Sequence, residues 1–309
     1  MNYKTIERIK VITGLSAMAV IVMAWLYPVF FLLVNANKTA SQYAKGDKTE
    51  IIWGTSIIDN AITAWNKGIG DGVLNSLLYG FAGSALAVFF AFVAAYGIVR
   101  LKIKNGLIWF LIIYSGTVFP FQMYLLPLFE AYVAVGIYNT KIGLILVYVG
   151  LCIPFATFVL RGFFLTVPWE IQEAAKIEGA TNFQILYKIM LPMAKAPLLL
   201  VFLIQFTWIW NDLLFGMVLS RSVGVRPITT VLAGMKDLYA SLDGPTILTA
   251  TLMASIPTLL IFLSTKDIIF TRLNSFGVVK CSSLVNSKRL SSSIVPTKID
   301  ESPSNEFNK

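Results

Sequence analysis

Histidine is absent from this sequence of 309 residues, and cysteine occurs only twice. Without histidine, the chain has no imidazole acid–base catalyst, no Ser–His or Cys–His nucleophile and no ligand for most transition-metal sites. Cys152 falls within a long apolar run and Cys281 lies near the C-terminal end, so we expect no disulfide between them. We therefore predict no metal site, no cofactor and no catalytic residue.

Charged residues are also scarce, at 13% of the chain, whereas soluble domains usually contain about 25%. Hydrophobic residues make up 57%, and the mean hydropathy is +0.74. A soluble core cannot bury so many apolar side chains, so the composition predicts an integral membrane protein.

Six long apolar runs each have the length of one membrane crossing, since about 20 helical residues span the hydrocarbon core. The predicted spans are 11–34, 74–99, 107–128, 142–160, 197–219 and 246–265. Backbone groups in lipid must be paired within the segment, and no alternating strand pattern is present, so we predict helices. The first run, at 24 residues, exceeds the 7–15 typical of a signal peptide, so we expect it to be retained.

Basic residues concentrate on one side of these spans. Segments 1–10, 100–106, 161–196 and 266–309 together hold 17 Lys/Arg and 8 Asp/Glu, against 8 and 7 in the segments of the other side. The positive-inside rule then predicts that both termini are cytoplasmic in a multi-pass protein of the cell membrane. The net charge of +9 is thereby explained by topology, and no nucleic-acid partner is predicted.

These boundaries divide the chain into a cytoplasmic N-terminus (1–10), a membrane domain (11–280) and a C-terminal tail (281–309). The tail contains eight serines and few aromatic residues, a composition that predicts disorder.

The second cytoplasmic loop, 161–196, is long enough to fold. Pro168 suits the first turn of a helix, and Gly179 suits its end because glycine tolerates a left-handed backbone. Thr181 and Gln184 fit a capping box for a second helix, which we predict to end before Pro192.

The second of these helices is too apolar to stand bare in water. Its apolar side chains are Phe183, Ile185, Leu186, Ile189 and Met190. They require cover either from the ends of the spans or from a partner protein, and the residues alone leave both alternatives open.

The same loop resembles a known motif. Glu173-Ala174-Ala175, Gly179 and Ile189-Met-Leu191-Pro192 follow the spacing of the EAA loop of binding-protein-dependent ABC importer permeases. Other segments are similar to the maltose-type carbohydrate permeases of this family over residues 5–280, namely Asn75-Ser76, Ala95-Tyr96 with Arg100, Pro120, Pro127, Pro154-Phe155, Arg161-Gly-Phe-Phe164 and Trp210-Asn211-Asp212. The chain departs from the family at Glu178, where aspartate is usual, and at 272–280.

The resemblance implies an all-α, six-span type I ABC importer permease whose loop is a cytoplasmic coupling helix seated in an ATPase groove. The ATPase-coupling residues that it implies are Glu173, Ala174, Ala175, Gly179, Ala180, Phe183, Ile189 and Pro192. It also implies a second homologous permease, a dimer of ATP-binding cassette subunits, an extracellular solute-binding protein and a sugar as the solute. The chain contains no G-x-x-x-x-G-K-[ST] segment, so it is not expected to bind ATP in that way.

Asp212 is the one ionisable residue inside the predicted spans, and such residues commonly face the interior of a helix bundle or water. By helical spacing, Gln205, Trp208 and Asp212 are expected to fall on one face of the fifth span. The candidate residues of a solute pathway are Gln205, Trp208, Asn211, Asp212, Asn75 and Gln122. The alternative is that these polar groups hold the helices together by hydrogen bonds.

Two other classes of function remain open from the residues alone. An ion-coupled carrier that works without ATP predicts several carboxylates at membrane depth. A membrane-embedded enzyme without histidine requires a carboxylate or Ser/Lys cluster, and no such cluster is evident.

Overall fold

The computed structural model describes residues 3–52, 54–238 and 243–263, and every regular element within those ranges is helical. In chain order the helices are α1 (Tyr3–Ala36), α2 (Ala40–Lys45), α3 (Ser56–Ala64), α4 (Gly70–Arg100), α5 (Gly106–Ser115), α6 (Phe121–Val135), α7 (Lys141–Thr166), α8 (Trp169–Ile177), α9 (Asn182–Gln184), α10 (Leu191–Met193), α11 (Lys195–Trp210), α12 (Leu214–Leu219), α13 (Ile228–Leu238) and α14 (Gly244–Leu263). The π-helical turns Trp65–Ile69 and Ile185–Met190 join α3 to α4 and α9 to α10. The predicted all-α fold class is confirmed.

Four described helices are long and apolar enough to cross a membrane: Val11–Ala36, Ser56–Arg100, Lys141–Thr166 and Gly244–Leu263. They contain the first, second and fourth predicted spans and most of the sixth. The predicted tail, Cys281 and the last residues of the sixth predicted span lie outside the described residues.

The third predicted span is not one helix. α5 ends at Ser115, and α6 begins at Phe121 after Pro120, whose backbone is extended at φ −59° and ψ 131°. Proline has no N–H to continue the helix and constrains the residue before it, so the chain breaks there. α6 then continues to Val135, beyond the predicted end at 128, and so includes the acidic residue Glu130.

The fifth predicted span is also divided, because α11 ends at Trp210 and α12 begins at Leu214. The expectation that Asp212 shares a helical face with Gln205 and Trp208 was therefore wrong. The Asp212 carboxylate accepts the N–H of Gly216 at 3.1 Å and the Tyr148 hydroxyl at 2.9 Å, so it caps α12 instead of continuing α11.

The second helix of the loop passes Pro192, which contradicts the predicted end before that residue. A π-type bond from Leu191 N–H to the carbonyl of Leu186 precedes the proline, and the helix runs to Met193. The chain then bends by 74° into α11. We call Asn182–Met193 the second loop helix.

The core of the bundle lies between α4, α7 and α11. Ala87, Ala91 and Ala95 form a buried stripe of small residues on α4, spaced one helical turn apart. Small side chains let helix backbones approach closely, so α4 and α7 pack side by side over most of their length. The arrangement brings the C-terminal end of α4 beside the loop 161–196.

Candidate functional site

The turn between the two loop helices is built on Gly179. Its backbone has φ +83°, a left-handed conformation that glycine adopts without the steric cost of a Cβ atom. Gly179 N–H donates to the carbonyl of Lys176 at 3.0 Å, and Ala180 N–H donates to that of Ala175 at 2.9 Å. These two bonds form a Schellman motif, which confirms the predicted helix stop at this glycine.

The predicted capping box at the start of the second loop helix is also confirmed. Thr181 Oγ1 accepts the N–H of Gln184 at 3.3 Å, and Gln184 Oε1 accepts the N–H of Thr181 at 2.8 Å. The turn and the cap fix the angle at which the second loop helix leaves α8.

We predict that Thr181→Ala destabilises the first turn of this helix by about 1 kcal/mol, which corresponds to an amide exchange rate on the order of fivefold higher at Gln184. Hydrogen exchange followed by mass spectrometry measures the effect. The matched control is Thr39→Ala, which removes the same capping box from Thr39 and Gln42 in α2. An equal change at Gln184 in both variants would contradict the local role of Thr181.

The apolar side chains of the second loop helix divide between the two covers that the sequence left open. Ile185 and Met190 are fully buried in the core that also contains Phe164. Phe183 and Tyr187, in contrast, are 73% and 62% exposed. One face of the helix therefore packs on the bundle, and the described residues leave the other face without cover.

The residues predicted for ATPase coupling divide in the same way. Exposed members are Glu173, Ala174, Gly179, Phe183 and Pro192, while Ala180 and Ile189 are half-buried. Ala175 is buried against the bundle, so its role in the loop is packing. Ile177, which the sequence did not single out, is 88% exposed at the end of α8. We call Ile177, Phe183 and Tyr187 the apolar patch.

Arg100, at the C-terminal end of α4, connects that helix to the loop. Its Nη2 donates to the carbonyl of Phe164 at 2.8 Å and also to that of Val167, at the C-terminal end of α7. Its guanidinium carbon lies 4.6 Å from the centre of the Trp169 ring at the start of α8. The side chain is buried, and Gln172 Nε2 donates to the Arg100 carbonyl at 3.2 Å.

Tyr96, one turn earlier on α4, holds the other half of the loop. Its hydroxyl donates to the carbonyl of Asn182 at 3.2 Å, and its ring centre lies 5.8 Å from that of Phe164. The last turn of α4 thus contacts both loop helices. Sequence reasoning used Arg100 only as a topology signal and a point of resemblance, and its bonding partners more than 60 residues away could not be read from local spacing.

Three of the predicted pathway residues are bonded inside the protein. Asn75 Nδ2 donates to the carbonyl of Arg226 at 3.2 Å, and Gln205 Nε2 donates to that of Cys152 at 3.0 Å. Asp212 accepts the Tyr148 hydroxyl at 2.9 Å. All three side chains are buried, so their geometry favours the alternative in which they hold the helices together.

The other three predicted pathway residues lie at the breaks of the spans. Gln122 and Asn211 are exposed, and Trp208 is half-buried. Gln122 follows the break before α6, and Asn211 opens the break after α11. The structure therefore separates the six candidates into a bonded set inside the bundle and a set that faces outward.

The connection 220–228, between α12 and α13, is held by both α4 and the turn before α7. Tyr79 donates its hydroxyl to the carbonyl of Val225 at 2.7 Å, and Ser76 Oγ accepts the N–H of Ile228 at 2.8 Å. Asn139 Oδ1 accepts the N–H of Arg221 at 2.8 Å and that of Ser222 at 2.9 Å. α4 is thus bonded to the loop 161–196 at one end and to the connection 220–228 at the other.

Comparison with known proteins identifies a family and several similar proteins. Residues 83–274 match the family described as binding-protein-dependent transport system inner membrane component. The inner membrane ABC transporter permease protein YcjP of Escherichia coli (strain K12) is 29% identical over 282 residues, which cover 90% of this chain and 98% of that protein. The lactose transport system permease protein LacG of Rhizobium radiobacter is 26% identical over 257 residues, covering 83% and 92%.

A solved structure shares the fold. The crystal structure of a bacterial ABC transporter involved in the import of the acidic polysaccharide alginate contains a chain that aligns with a TM-score of 0.74 at 20% identity, over 86% of this chain and 99% of that one. The family match, which covers more than half of the sequence, establishes that the chain belongs to the binding-protein-dependent transport system inner membrane component family and is a permease subunit of an ABC importer.

Proposed function

We propose that this permease imports a carbohydrate and that a separate ATPase dimer powers it through the loop Glu173–Pro192. The observation that carries the proposal is the apolar patch, whose three large side chains are 62–88% exposed on a loop outside the spans. Exposed clusters of this kind mark protein interaction sites, because leaving them in water forgoes the free energy of burial.

The rim of the patch suits a protein partner. Glu173, Lys176 and Glu178 are exposed on α8 and at its C-terminal end, and Lys188 is exposed on the second loop helix. A hydrophobic centre with a charged rim is the usual anatomy of a specific interface. A partner that is seated there contacts both loop helices at once, so its movement acts on the whole loop.

The bonds at the ends of α4 provide a route for that movement. A shift of the loop displaces Arg100 and Tyr96, which are bonded to it. Because α4 is one helix of 31 residues, this displacement is transmitted to its other end. At the other end, Tyr79 and Ser76 hold the external connection 220–228. We propose that this coupling makes the pathway alternate between inward-facing and outward-facing states, with the external connection near the solute-binding protein.

A second permease subunit supplies the cover that α1 lacks. Residues 11–30 of this helix are all exposed in the isolated chain, on every face. Lipid can cover an apolar helix, but a helix that stands apart from its own bundle is free to pack on a homologous partner. The proposed complex therefore contains this chain, a second permease, two ATPase subunits and a solute-binding protein.

The proposed topology has six crossings with both termini in the cytoplasm. α5 with α6 forms the third crossing, and α11 with α12 forms the fifth, each across a break. The loop 161–196 then lies on the cytoplasmic side, where ATP is available. ATP hydrolysis is assigned to the separate subunit, since the sequence has no phosphate-binding G-x-x-x-x-G-K-[ST] segment.

A carbohydrate solute is supported by the relatives. Beside the lactose permease, they include the diacetylchitobiose uptake system permease protein NgcG of Streptomyces coelicolor, which is 29% identical over 210 residues. Because carbohydrates recur as the solutes of similar permeases, a carbohydrate is the simplest expectation for this protein. An ion-coupled carrier would instead transport the solute without the ATPase.

The test replaces the centre of the patch by a charge. Phe183→Asp and Ile177→Asp are expected to reduce copurification with the ATPase at least about tenfold, since a buried unpaired carboxylate costs more than 1.4 kcal/mol at an interface. The matched control is Ile51→Asp, an exposed apolar residue (52%) in the connection between α2 and α3, which is external in the proposed topology. Unchanged copurification in both patch variants, or uptake by the permease without ATP, would overturn the proposal.

A further inference from the structure

The breaks of the third and fifth predicted spans lie side by side. The first comprises Gly116–Pro120, and the second comprises Asn211–Leu213. The ring of Phe121, just after the first break, lies 5.7 Å from that of Trp208, just before the second, measured between ring centres. Phe121 also lies 5.9 Å from Phe215, which follows the second break.

Both breaks fall at membrane depth in the proposed topology. At 1.5 Å per residue, the first break begins about 15 Å from the start of α5, and the second begins about 24 Å from the start of α11. Irregular backbone is tolerated at such depth only where protein buries it or where it lines a water-filled cavity. In this chain the first break is open, with Val118 72% exposed.

Uncharged polar side chains surround the paired breaks. Gln122 is exposed, and no hydrogen bond joins its amide to the described part of the chain. Asn211 is exposed and donates its Nδ2 to the carbonyl of Thr207 at 2.7 Å, which leaves its Oδ1 directed to no described group. Trp208, three residues before Asn211, is half-buried, and its ring contacts that of Phe121.

Hydrogen bonds from other elements hold the backbone of the second break in place. Asp212 accepts the Tyr148 hydroxyl at 2.9 Å and the N–H of Gly216 at 3.1 Å. Thr229 Oγ1 donates to the Asp212 carbonyl. The carboxylate is therefore used inside the protein, and the groups that remain outward are two amides and aromatic rings.

We infer that the paired breaks form a carbohydrate-contact surface on the transport pathway, with Gln122 and Asn211 binding hydroxyl groups and Trp208 contacting an apolar face of the sugar ring. Amides both donate and accept, as sugar hydroxyls do, and an aromatic ring packs against the C–H face of a pyranose. The outward groups are neutral, which disfavours an ion as the solute. The inference rests on the proposed function, since it concerns the same pathway.

Cysteine labelling tests whether the surface is wet. Gln122→Cys and Asn211→Cys, each in a Cys152→Ala/Cys281→Ser background, are assembled with the partner subunits and treated with a charged, membrane-impermeant methanethiosulfonate. We expect both to react at least about tenfold faster than Phe89→Cys, an exposed apolar position of α4 (59%), with rates that change when ADP–vanadate traps the ATPase. Rates equal to that of Phe89→Cys in both states would overturn the inference, because the breaks would then face lipid or a dry subunit interface.

Uptake kinetics test the chemistry. The probes are radiolabelled lactose, maltose and diacetylchitobiose with the complete importer. For a probe that the wild type transports, Trp208→Leu is expected to raise KM about tenfold, and Trp208→Phe, which keeps an aromatic ring, to raise it less. Wild-type uptake with an unchanged KM in Trp208→Leu would overturn this inference and leave the proposed function intact. ATP-dependent uptake of none of the three sugars would instead overturn the carbohydrate assignment itself.

Discussion

Gly179→Pro is expected to abolish ATP-driven uptake while the permease still inserts and assembles in the membrane. Proline fixes φ near −65°, whereas this position has φ +83°, and proline also lacks the N–H that Gly179 donates to Lys176. The two loop helices then lose the angle that presents both to one partner. Uptake into vesicles and ATPase copurification, measured on the same preparation, give the result.

A graded series makes the cause specific. Gly179→Ala costs about 1–2 kcal/mol for a left-handed backbone, and Gly179→Asn costs less because asparagine visits this region more readily. We expect uptake to fall in the order Asn, Ala, Pro. The matched control is Gly150→Ala in α7, where an added Cβ has nothing within 4 Å, and we expect no loss there. Wild-type uptake in Gly179→Pro would contradict the role of the turn.

Arg100→Met is expected to separate ATPase binding from transport. The methionine fills the volume but leaves the carbonyls of Phe164 and Val167 without their donor, which costs about 1–3 kcal/mol for each buried group. The apolar patch keeps its side chains, so the ATPase still copurifies. Because α4 no longer follows the loop, we expect ATP-driven uptake to fall at least about tenfold. A loss of about 1.4 kcal/mol, within the range for one buried hydrogen bond, corresponds to this factor.

The control for this prediction is another arginine with an aromatic contact. Arg161 lies 4.4 Å from the centre of the Phe110 ring, and no described hydrogen bond joins its side chain to the loop helices. Arg161→Met is expected to retain most of the uptake. Arg100→Lys should recover part of it, since lysine keeps a donor but cannot bond both carbonyls with the same planar geometry. Equal uptake in Arg100→Met and Arg161→Met would refute transmission through α4.

Features set by neighbouring residues could be predicted from the sequence. The stop at Gly179 and the capping box of Thr181 and Gln184 depend on groups within five residues of each other, so their spacing was sufficient. The membrane class could also be predicted, because it follows from the apolar composition of the chain and requires no distant contact. The turn and the cap require only the local chain. The membrane class requires in addition only the preference of the bilayer for paired backbone groups.

Features set by distant contacts could not be predicted. The break at Asn211–Leu213 depends on Asp212 as a cap, and its carboxylate is fixed by Tyr148, 64 residues earlier. The roles of Arg100 and Tyr96 depend on carbonyls that only the folded chain brings near. Which face of the second loop helix is buried could not be predicted either. Its apolar residues lie on more than one face, so only the packed structure distinguishes the buried face from the exposed one.

Photocrosslinking from position 183 in the assembled importer tests the coupling most directly. Phe183 is replaced by benzoylphenylalanine, with Ile51 replaced in the same way as the external control, and membranes are irradiated with and without ATP. The proposed docking predicts a crosslink from position 183 to the ATPase subunit and none from position 51 to that subunit. A crosslink from position 183 only to lipid or to the permease itself, in a complex that still transports, would contradict it.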